Sequence, residues 1–271
     1  MNRQDSGAAM FARYAYPPNE LGYCGPTESA PLLDATRRAG ESTTEMSELA
    51  RQFDGAWCYL ETLADGTGTG NGDPLDLQVV EAYWLGNGLL EQLGAATFAH
   101  AVTTHFADQH GARLTGLATA ANPTGMARAH HGFHVFEVYP WTGLLHVGAG
   151  QPALSILEQC RIRWGQVLDV SGDHARVRSR PLAWDGHRLS LGAPRVEQPR
   201  WAHRGHSLLP APPHDGSWVA MHWSWICDLL STRQLVHLRN QTADQLRLTN
   251  STVPSENGNS GQPSTTEVMP H

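Results

Sequence analysis

Apolar residues recur every three or four positions along the first half of the chain, which is the pattern of helices with one buried face. In residues 45–63 they form a single stripe, made of Leu49, Phe53, Ala56, Trp57, Leu60 and Leu63. A second stripe covers residues 74–93, where Asp73 followed by Pro74 is a typical helix start with the acid as N-cap. Residues 95–106 and 112–121 have the same character. We therefore predict that the N-terminal region is mainly helical.

The pattern changes to that of β-strands after residue 130. In residues 133–139, the odd-numbered and the even-numbered side chains would point to opposite faces of a strand, and both sets contain large apolar groups. This pattern predicts a strand that is buried on both faces. Four further short segments predict strands, at residues 161–170, 174–180, 188–191 and 218–226. Tight turns separate them, at Ser171-Gly172-Asp173 and at Trp184-Asp185-Gly186. Several short strands joined by tight turns indicate a small barrel or sandwich.

The C-terminal end combines a helix with a polar tail. Residues 231–248 carry leucines roughly in helical phase. From Asn250 onward the chain has almost no large apolar side chain, which is typical of disorder. The predicted fold class is α+β, with a mainly helical domain over residues 1–150, a small β-barrel with a C-terminal helix over residues 151–249, and a disordered tail over residues 250–271.

Composition and charge argue against two classes of partner. The net charge is −7 and no cluster of basic residues is present, so we expect no binding to nucleic acid. No apolar run approaches the roughly 20 residues that span a bilayer, and residues 1–11 lack the apolar segment of a signal peptide. The four cysteines form no C-x-x-C pair. We predict a cytoplasmic protein with reduced thiols and no membrane partner.

Two patterns lie in the predicted barrel. The first is CRIRWGQVLDVSGDHARV, which begins at Cys160 and contains Gly165 before an aliphatic strand, a turn at Gly172 and an Ala-x-Val strand. The second is GSWVAMH, which ends at His222 and precedes an apolar strand and a helix. In content and order, the two patterns resemble the HypC/HupF-type chaperones that assemble nickel–iron hydrogenases. The resemblance covers roughly a third of the chain.

The resemblance implies an OB-like barrel and a role in metal-centre assembly. In that family a cysteine thiolate and a histidine take part in holding an iron with cyanide and carbon monoxide ligands, which passes from a scaffold protein to the hydrogenase large subunit. The matching positions make Cys160 the thiolate ligand and His222 its companion. The chain would then be an accessory protein and not an enzyme. Its cofactor would be a transient iron complex, and its partners the hydrogenase large subunit and other assembly proteins.

The residue types suit this chemistry. A soft thiolate suits low-spin iron, and a carrier that must release its cargo needs fewer ligands than a closed four-ligand site. The chain departs from the family because Cys160 is internal, Trp164 replaces a proline, and extra residues at 195–215 lengthen the spacing to His222. Two alternatives remain. Cys160 can be a small buried hydrophobe and His222 a core imidazole, or the chain can be a hydrogenase-associated scaffold without metal handling.

The densest run of potential metal ligands comprises His130, His131, His134 and Glu137. In a strand, His130 and His134 would share one face. This run predicts an alternative function, a metal-dependent enzyme, although the H-E-x-x-H pattern of zinc hydrolases is absent. A further hypothesis places these histidines at the interface of the helical part and the barrel, near Cys160, where they help to bind the same metal-bearing partner.

A segment near the N-terminus is unusually rich in aromatic residues, proline and glycine. It contains Tyr14, Tyr16 and Tyr23 within residues 11–26. Tyrosine rings and hydroxyls suit a docking surface for a partner protein. The alternative is that the segment wraps the helical domain and anchors it through buried tyrosines and prolines.

Overall fold

The structure, a computed structural model, describes residues 6–36, 44–106, 127–146 and 150–251. The predicted helix at residues 112–121 lies outside the described residues. So does the predicted tail, apart from Asn250 and Ser251, which belong to the last helix.

Seven helices form the N-terminal part that the structure describes: α1 Gly7–Glu20, α2 Ala30–Ala35, α3 Thr44–Arg51, α4 Asp54–Thr67, α5 Leu77–Trp84, α6 Leu89–Gln92 and α7 Ala95–His105. Helix α1 is buried along most of its length because its residues are almost all apolar, and Ser6 caps it by accepting a hydrogen bond from the backbone N–H of Ala9. A short 3₁₀ turn, Thr69–Gly72, joins α4 to the segment before α5.

Two of the predicted helices are divided in the structure. The stripe at residues 45–63 breaks at Phe53, so that α3 and α4 are separate helices. The predicted start at Asp73 was wrong, because the Asp73 carboxylate bonds the N–H of Leu75 in a local turn and Asp76 is the residue that caps α5. That helix ends before Gly86, whose φ of +85° favours glycine.

The predicted strand at residues 133–139 is helical. Helix α8, His131–Phe133, continues as a π-helical turn, His134–Val138, and the His130 side chain caps α8 by accepting the N–H of Gly132. All residues from 133 to 138 are buried. An apolar segment that is buried on every side carries no periodic signal that separates a strand from a helix. Helices α9, Trp141–His146, and α10, Gly150–Cys160, follow.

The described residues of the C-terminal half form nine strands: β1 Arg163–Ser171, β2 His174–Ser179, β3 Leu182–Trp184, β4 Leu189–Leu191, β5 Arg195–Glu197, β6 Ala202–His203, β7 His206–Ser207, β8 Trp218–His222 and β9 Trp225–Leu229. Five form one antiparallel sheet in the order β5-β2-β1-β8-β9. The segment predicted as one strand at residues 218–226 is a hairpin, because the chain turns at Trp223 with φ +52°.

The two ends of this sheet approach each other. Arg200, just after β5, forms bridges to His174 at the start of β2 and to Trp225 at the start of β9. Its backbone N–H donates to Ser224 O, and its carbonyl accepts from Ile226 N at 2.8 Å. In the centre of the sheet, a Cβ on Gly165 would lie 2.3 Å from Val177 Cγ1 and 3.0 Å from the Arg178 carbonyl oxygen, so the side chains of the paired strands β1 and β2 leave room only for glycine here.

The helices and the sheet share one hydrophobic core, which confirms the α+β class. The largest core cluster joins Phe11 and Leu60 of the N-terminal helices to Ala220 and Trp225 of the sheet. It also includes Leu238 of the last helix, α11, Thr232–Ser251. The proposed boundary at residue 150 marks a change of secondary structure and stays a prediction as a domain boundary. No helix in the described part of the chain is both long enough and apolar enough to cross a membrane.

Candidate metal centre

Three segments that are far apart in sequence bring His131, Cys160 and His222 together. Their ligand atoms all lie within 4.8 Å of one another, and all three residues are buried. Two protein ligands of a tetrahedral metal ion with N and S donors lie about 3.5 Å apart. A shift of about 1 Å is therefore enough to close the three donors around one ion.

His222, the last residue of β8, has one ring nitrogen whose lone pair accepts no hydrogen bond from the described residues. Its Nδ1–H donates to the carbonyl of Tyr14 at 2.7 Å. That carbonyl is available because the residue four positions later is Pro18, which has no N–H to donate within α1. The Nε2 atom of His222 is buried and has no hydrogen-bond partner among the described residues. A backbone carbonyl on one ring nitrogen and a lone pair on the other is the usual arrangement of a metal-ligating histidine.

His131, at the start of α8, is also oriented by two hydrogen bonds. Its Nε2 lies 2.9 Å from the carbonyl of Cys160, which can only accept, so Nε2 carries the proton. Its Nδ1 is then an acceptor for the Tyr83 hydroxyl at 3.1 Å. To bind a metal through Nδ1, His131 has to give up the hydrogen bond from Tyr83. His131 is therefore less prepared for ligation than His222.

Cys160 is the last residue of α10 and is held as a neutral thiol. Burial raises the pKa of the Cys160 thiol, and the nearby Cys24 raises it further. The C-terminal end of a helix also disfavours a negative charge. Burial lowers the pKa of His131 to about 4 and holds that of His222 well below its usual value. All three donors are therefore uncharged at neutral pH, and a bound metal ion would displace the thiol proton.

A cavity of about 290 Å³ connects the three donors to the surface. His131, Cys160 and His222 line its buried part. Its rim includes the exposed residues Tyr23 and Gln52. The walls are mostly apolar and aromatic. The remaining lining residues are Ala15, Pro18, Cys24, Gly25, Phe53, Asp54, Gly55, Ala56, Tyr83, Trp84, His134, Tyr139, Trp141, Ile156 and Trp223. The cavity is wide enough for a small metal complex and extends from its exposed rim to Cys160.

The other residues of the predicted histidine run have separate neighbours. His130 caps α8, and His134 lies 3.5 Å from the Tyr59 hydroxyl. The Glu137 carboxylate accepts hydrogen bonds from Gln245 and Thr249 in a fully buried position. In the part of the chain that the structure describes, these four residues do not form one ligand group, and only His131 joins Cys160. The hypothesis that placed the histidines near Cys160 agrees with the position of His131.

Two of the three tyrosines that suggested a docking surface are inside the protein. Tyr14 and Tyr16 belong to the main core, where Tyr14 stacks on Trp84 with ring centroids 5.3 Å apart. Only Tyr23 of the three is exposed, at 55%. The docking interpretation was therefore wrong for Tyr14 and Tyr16, because the helix that carries them is the centre of the helical part. The alternative, an anchoring segment, agrees with their burial.

Sequence reasoning missed several residues of the cavity. Trp84 was assigned only to a helix stripe and Tyr83 was not singled out, yet Trp84 lies against both His131 and His222, with ring centroids 4.7 and 5.8 Å away. The Tyr16-Pro17-Pro18 sequence inside α1 was the available signal, because a proline in a helix leaves a carbonyl free for an outside donor.

The fold and the site define an α+β protein with a buried His–Cys–His donor set. The chain belongs to DUF6390, a family of unknown function, whose profile matches residues 3–256. Among curated proteins and among solved structures, nothing matches the chain at a significant level. The family description names no activity, so the resemblance to HypC/HupF chaperones stays a prediction.

Proposed function

We propose that this protein is an accessory protein of nickel–iron hydrogenase maturation that transiently carries an iron with cyanide and carbon monoxide ligands and binds the hydrogenase large subunit. The observation that carries the proposal is the meeting of Cys160 and His222 at the end of a cavity that reaches the surface. The two residues, which are 62 positions apart in the sequence, were selected by resemblance alone.

The donor set supports the carriage of a soft metal centre. It offers one sulfur and two imidazole nitrogens, and within the described part of the chain no fourth protein ligand joins them as in a closed structural site. Thiolate and imidazole are the ligands expected for iron in a strong ligand field, whereas carboxylates would favour harder ions. The mostly apolar cavity excludes much of the water that would compete for the metal.

The arrangement of the strands supports the finer proposal of an OB-like barrel. The main sheet is five-stranded and antiparallel, as in that fold. The bridges of Arg200 to both His174 and Trp225 bring the two ends of the sheet together on one side. His222 lies at the end of β8 and Cys160 lies three residues before β1, so the pairing of β1 with β8 brings the two donors near each other.

An internal cysteine changes how the proposed carrier holds its cargo. Cys160 is the last residue of α10 and therefore has no terminal amine. The backbone carbonyl of Cys160 accepts a hydrogen bond from His131 Nε2, which holds this imidazole near Cys160. We propose that His131, which the family resemblance did not indicate, takes over part of the fixation of the metal in this chain.

The test is anaerobic purification of the protein from a host that makes hydrogenase, followed by infrared spectroscopy of metal-bound carbon monoxide and cyanide. We expect these bands in the wild type and in Cys58→Ala, a control that removes a buried cysteine outside the cavity. We expect their loss in Cys160→Ala. Bands that persist in Cys160→Ala would overturn the proposed ligand. A hydrogenase subunit that co-purifies with wild type free of such bands would favour the scaffold without metal handling.

A further inference from the structure

The Tyr83 side chain lies between the helical core and the metal centre. Tyr83 is the penultimate residue of α5, lines the cavity and is 1% exposed. Its ring packs against the rings of Tyr59, Trp84 and His131, with centroids 5.6, 4.7 and 5.6 Å away. Contacts with three rings restrict its orientation, so the Tyr83 hydroxyl has a defined position at the wall of the cavity.

The hydroxyl of Tyr83 occupies the ring nitrogen of His131 that could bind a metal ion. His131 Nε2 donates its proton to the Cys160 carbonyl at 2.9 Å, so the lone pair of the ring is on Nδ1. That lone pair accepts a hydrogen bond from the Tyr83 hydroxyl at 3.1 Å. Among the described residues, His131 is also the only hydrogen-bond partner of this hydroxyl. A metal ion at Nδ1 therefore displaces Tyr83 and leaves a buried hydroxyl without a partner.

We propose that Tyr83 is a positioning residue that keeps this centre open, because its hydroxyl competes with a bound metal ion for the lone pair of His131. The proposal rests on the proposed function, since it assigns a release mechanism to the same centre. The metal ion then has Cys160 and His222 as its main protein ligands, and the bond to His131 forms only when the hydrogen bond from Tyr83 is lost. This exchange transfers no proton and no electron, because Tyr83 keeps its hydroxyl proton and the Nδ1 electron pair only changes its partner.

This competition suits a protein that has to release its cargo. A buried hydroxyl without a hydrogen-bond partner costs free energy, so the bond between His131 and the metal is weaker than it would be beside a phenylalanine. When a receiving protein takes the metal, the Tyr83 hydroxyl regains His131, and the vacated lone pair is satisfied at once inside the mostly apolar cavity. Tyr83 therefore limits the affinity for the metal and favours its release.

A second buried pair of a tyrosine and a histidine provides the matched control. The Tyr59 hydroxyl lies 3.5 Å from His134 Nδ1, and both side chains are buried. Among the described residues, His134 does not belong to the donor group. Tyr83→Phe and Tyr59→Phe each remove one buried hydroxyl and keep the ring, but only Tyr83→Phe frees a donor atom of the centre.

Titration with Co²⁺ under anaerobic conditions, in the presence of a reductant without thiols, tests the proposal. We expect Tyr83→Phe to bind Co²⁺ about 10-fold more tightly than the wild type, which corresponds to the net energy of one hydrogen bond, and to release it to a chelator more slowly. Tyr59→Phe should equal the wild type in both measurements. In a His131→Ala background, Tyr83→Phe should not change the affinity, because the lone pair for which Tyr83 competes is absent. Urea midpoints check that each variant is folded.

The outcomes separate the two proposals. If Tyr83→Phe binds Co²⁺ as tightly as the wild type or more weakly, while Cys160→Ala abolishes binding, Tyr83 does not compete for the metal and the centre at Cys160 stands. A gain in affinity that persists in the His131→Ala background would also contradict the proposal, because the effect would not act through His131. If neither the wild type nor Tyr83→Phe binds Co²⁺, the metal centre is wrong and the role of Tyr83 fails with it.

Discussion

At the scale of single residues, the two ring nitrogens of His222 have different environments. Its Nδ1–H is held by the Tyr14 carbonyl, which Pro18 leaves free, while its Nε2 has no hydrogen-bond partner among the described residues. A core histidine usually has both ring nitrogens satisfied, because an unsatisfied buried nitrogen is costly. His130 Nε2 is also buried without a partner, but His222 lies within one donor group with His131 and Cys160, which is why we propose it as a ligand.

Replacement of His222 by alanine should abolish tight metal binding. We expect the affinity for Co²⁺ to fall by at least about 100-fold, since a direct ligand matters more than the supporting residues of a metal site, which are worth about 10- to 100-fold. His130→Ala is the control, because His130 caps α8 and lies outside the donor set. Isothermal titration calorimetry measures both. Equal losses in the two variants would mean that the effect comes from destabilisation and not from ligation.

At the scale of secondary-structure elements, Arg163 fixes the position of the two donors. Its guanidinium donates to the carbonyl of Glu158 in α10 at 3.1 Å and to the carbonyl of Trp223 at 2.7 Å. It also forms an ion pair with Glu197 of β5 at 3.2 Å. Arg163 is 1% exposed, so a single buried cation holds the helix end before Cys160 and the turn after His222.

Arg163→Met should destabilise the protein by about 3–5 kcal/mol, because it removes a buried guanidinium and leaves the carbonyls of Glu158 and Trp223 and the Glu197 carboxylate without this donor. Arg176→Met removes a comparable but exposed ion pair with Asp169 and should cost less than about 1 kcal/mol. Urea denaturation measures the free energy of unfolding of both variants. A similar small cost for both would show that Arg163 does not hold the two segments together.

The elements also show which parts of the fold the sequence could predict. Strands β1, β2 and β4 and helix α11 agree with the segments predicted at 161–170, 174–180, 188–191 and 231–248, because their apolar positions alternate or recur with a clear period. The helical turn at residues 133–138 could not be predicted, because burial on all sides removes the period. The hairpin at Trp223 was missed because a tryptophan with positive φ is rare.

The candidate site was predictable only in part. The order of two short patterns indicated Cys160 and His222, whose ligand atoms lie within 4.8 Å of each other in the structure. The positions of His131, Tyr83 and Cys24 depend on how the helices pack on the sheet. Such contacts between distant segments leave no local pattern in a single sequence.

At the scale of the whole molecule, the burial of neutral histidines makes stability depend on pH. Burial lowers the pKa of His130 and His134 to about 3 and that of His131 to about 4, below the ordinary value of about 6.5. The unfolded chain therefore binds protons that the folded chain excludes. These histidines contribute fully to the free energy of unfolding above pH about 6.5, and the contribution is lost as the pH falls toward the pKa values of the folded state.

We expect the free energy of unfolding to decrease from pH 7 to pH 5 by about 2 kcal/mol for each of these histidines. Urea denaturation at several pH values measures the slope. His134→Gln should reduce the slope of the unfolding free energy against pH by an amount equivalent to about one bound proton, because glutamine does not titrate. An unchanged slope in this variant, or equal stability at pH 7 and pH 5, would contradict the neutral, buried state of His134.

Helices and sheet meet at the proposed centre, because His131 comes from the helical part, Cys160 from the connecting helix α10 and His222 from the sheet. The centre therefore forms only when both halves of the chain are folded together.

The most direct measurement is X-ray absorption fine structure at the iron edge, on protein purified anaerobically from a hydrogenase-making host. We predict sulfur in the first coordination shell of the iron, together with light atoms from imidazole, cyanide and carbon monoxide. Protein that contains Cys160→Ala should lose a sulfur ligand or lose its iron. An iron shell of oxygen and nitrogen alone in the wild type, or a spectrum that Cys160→Ala leaves unchanged, would contradict the assignment of this cavity to iron carriage.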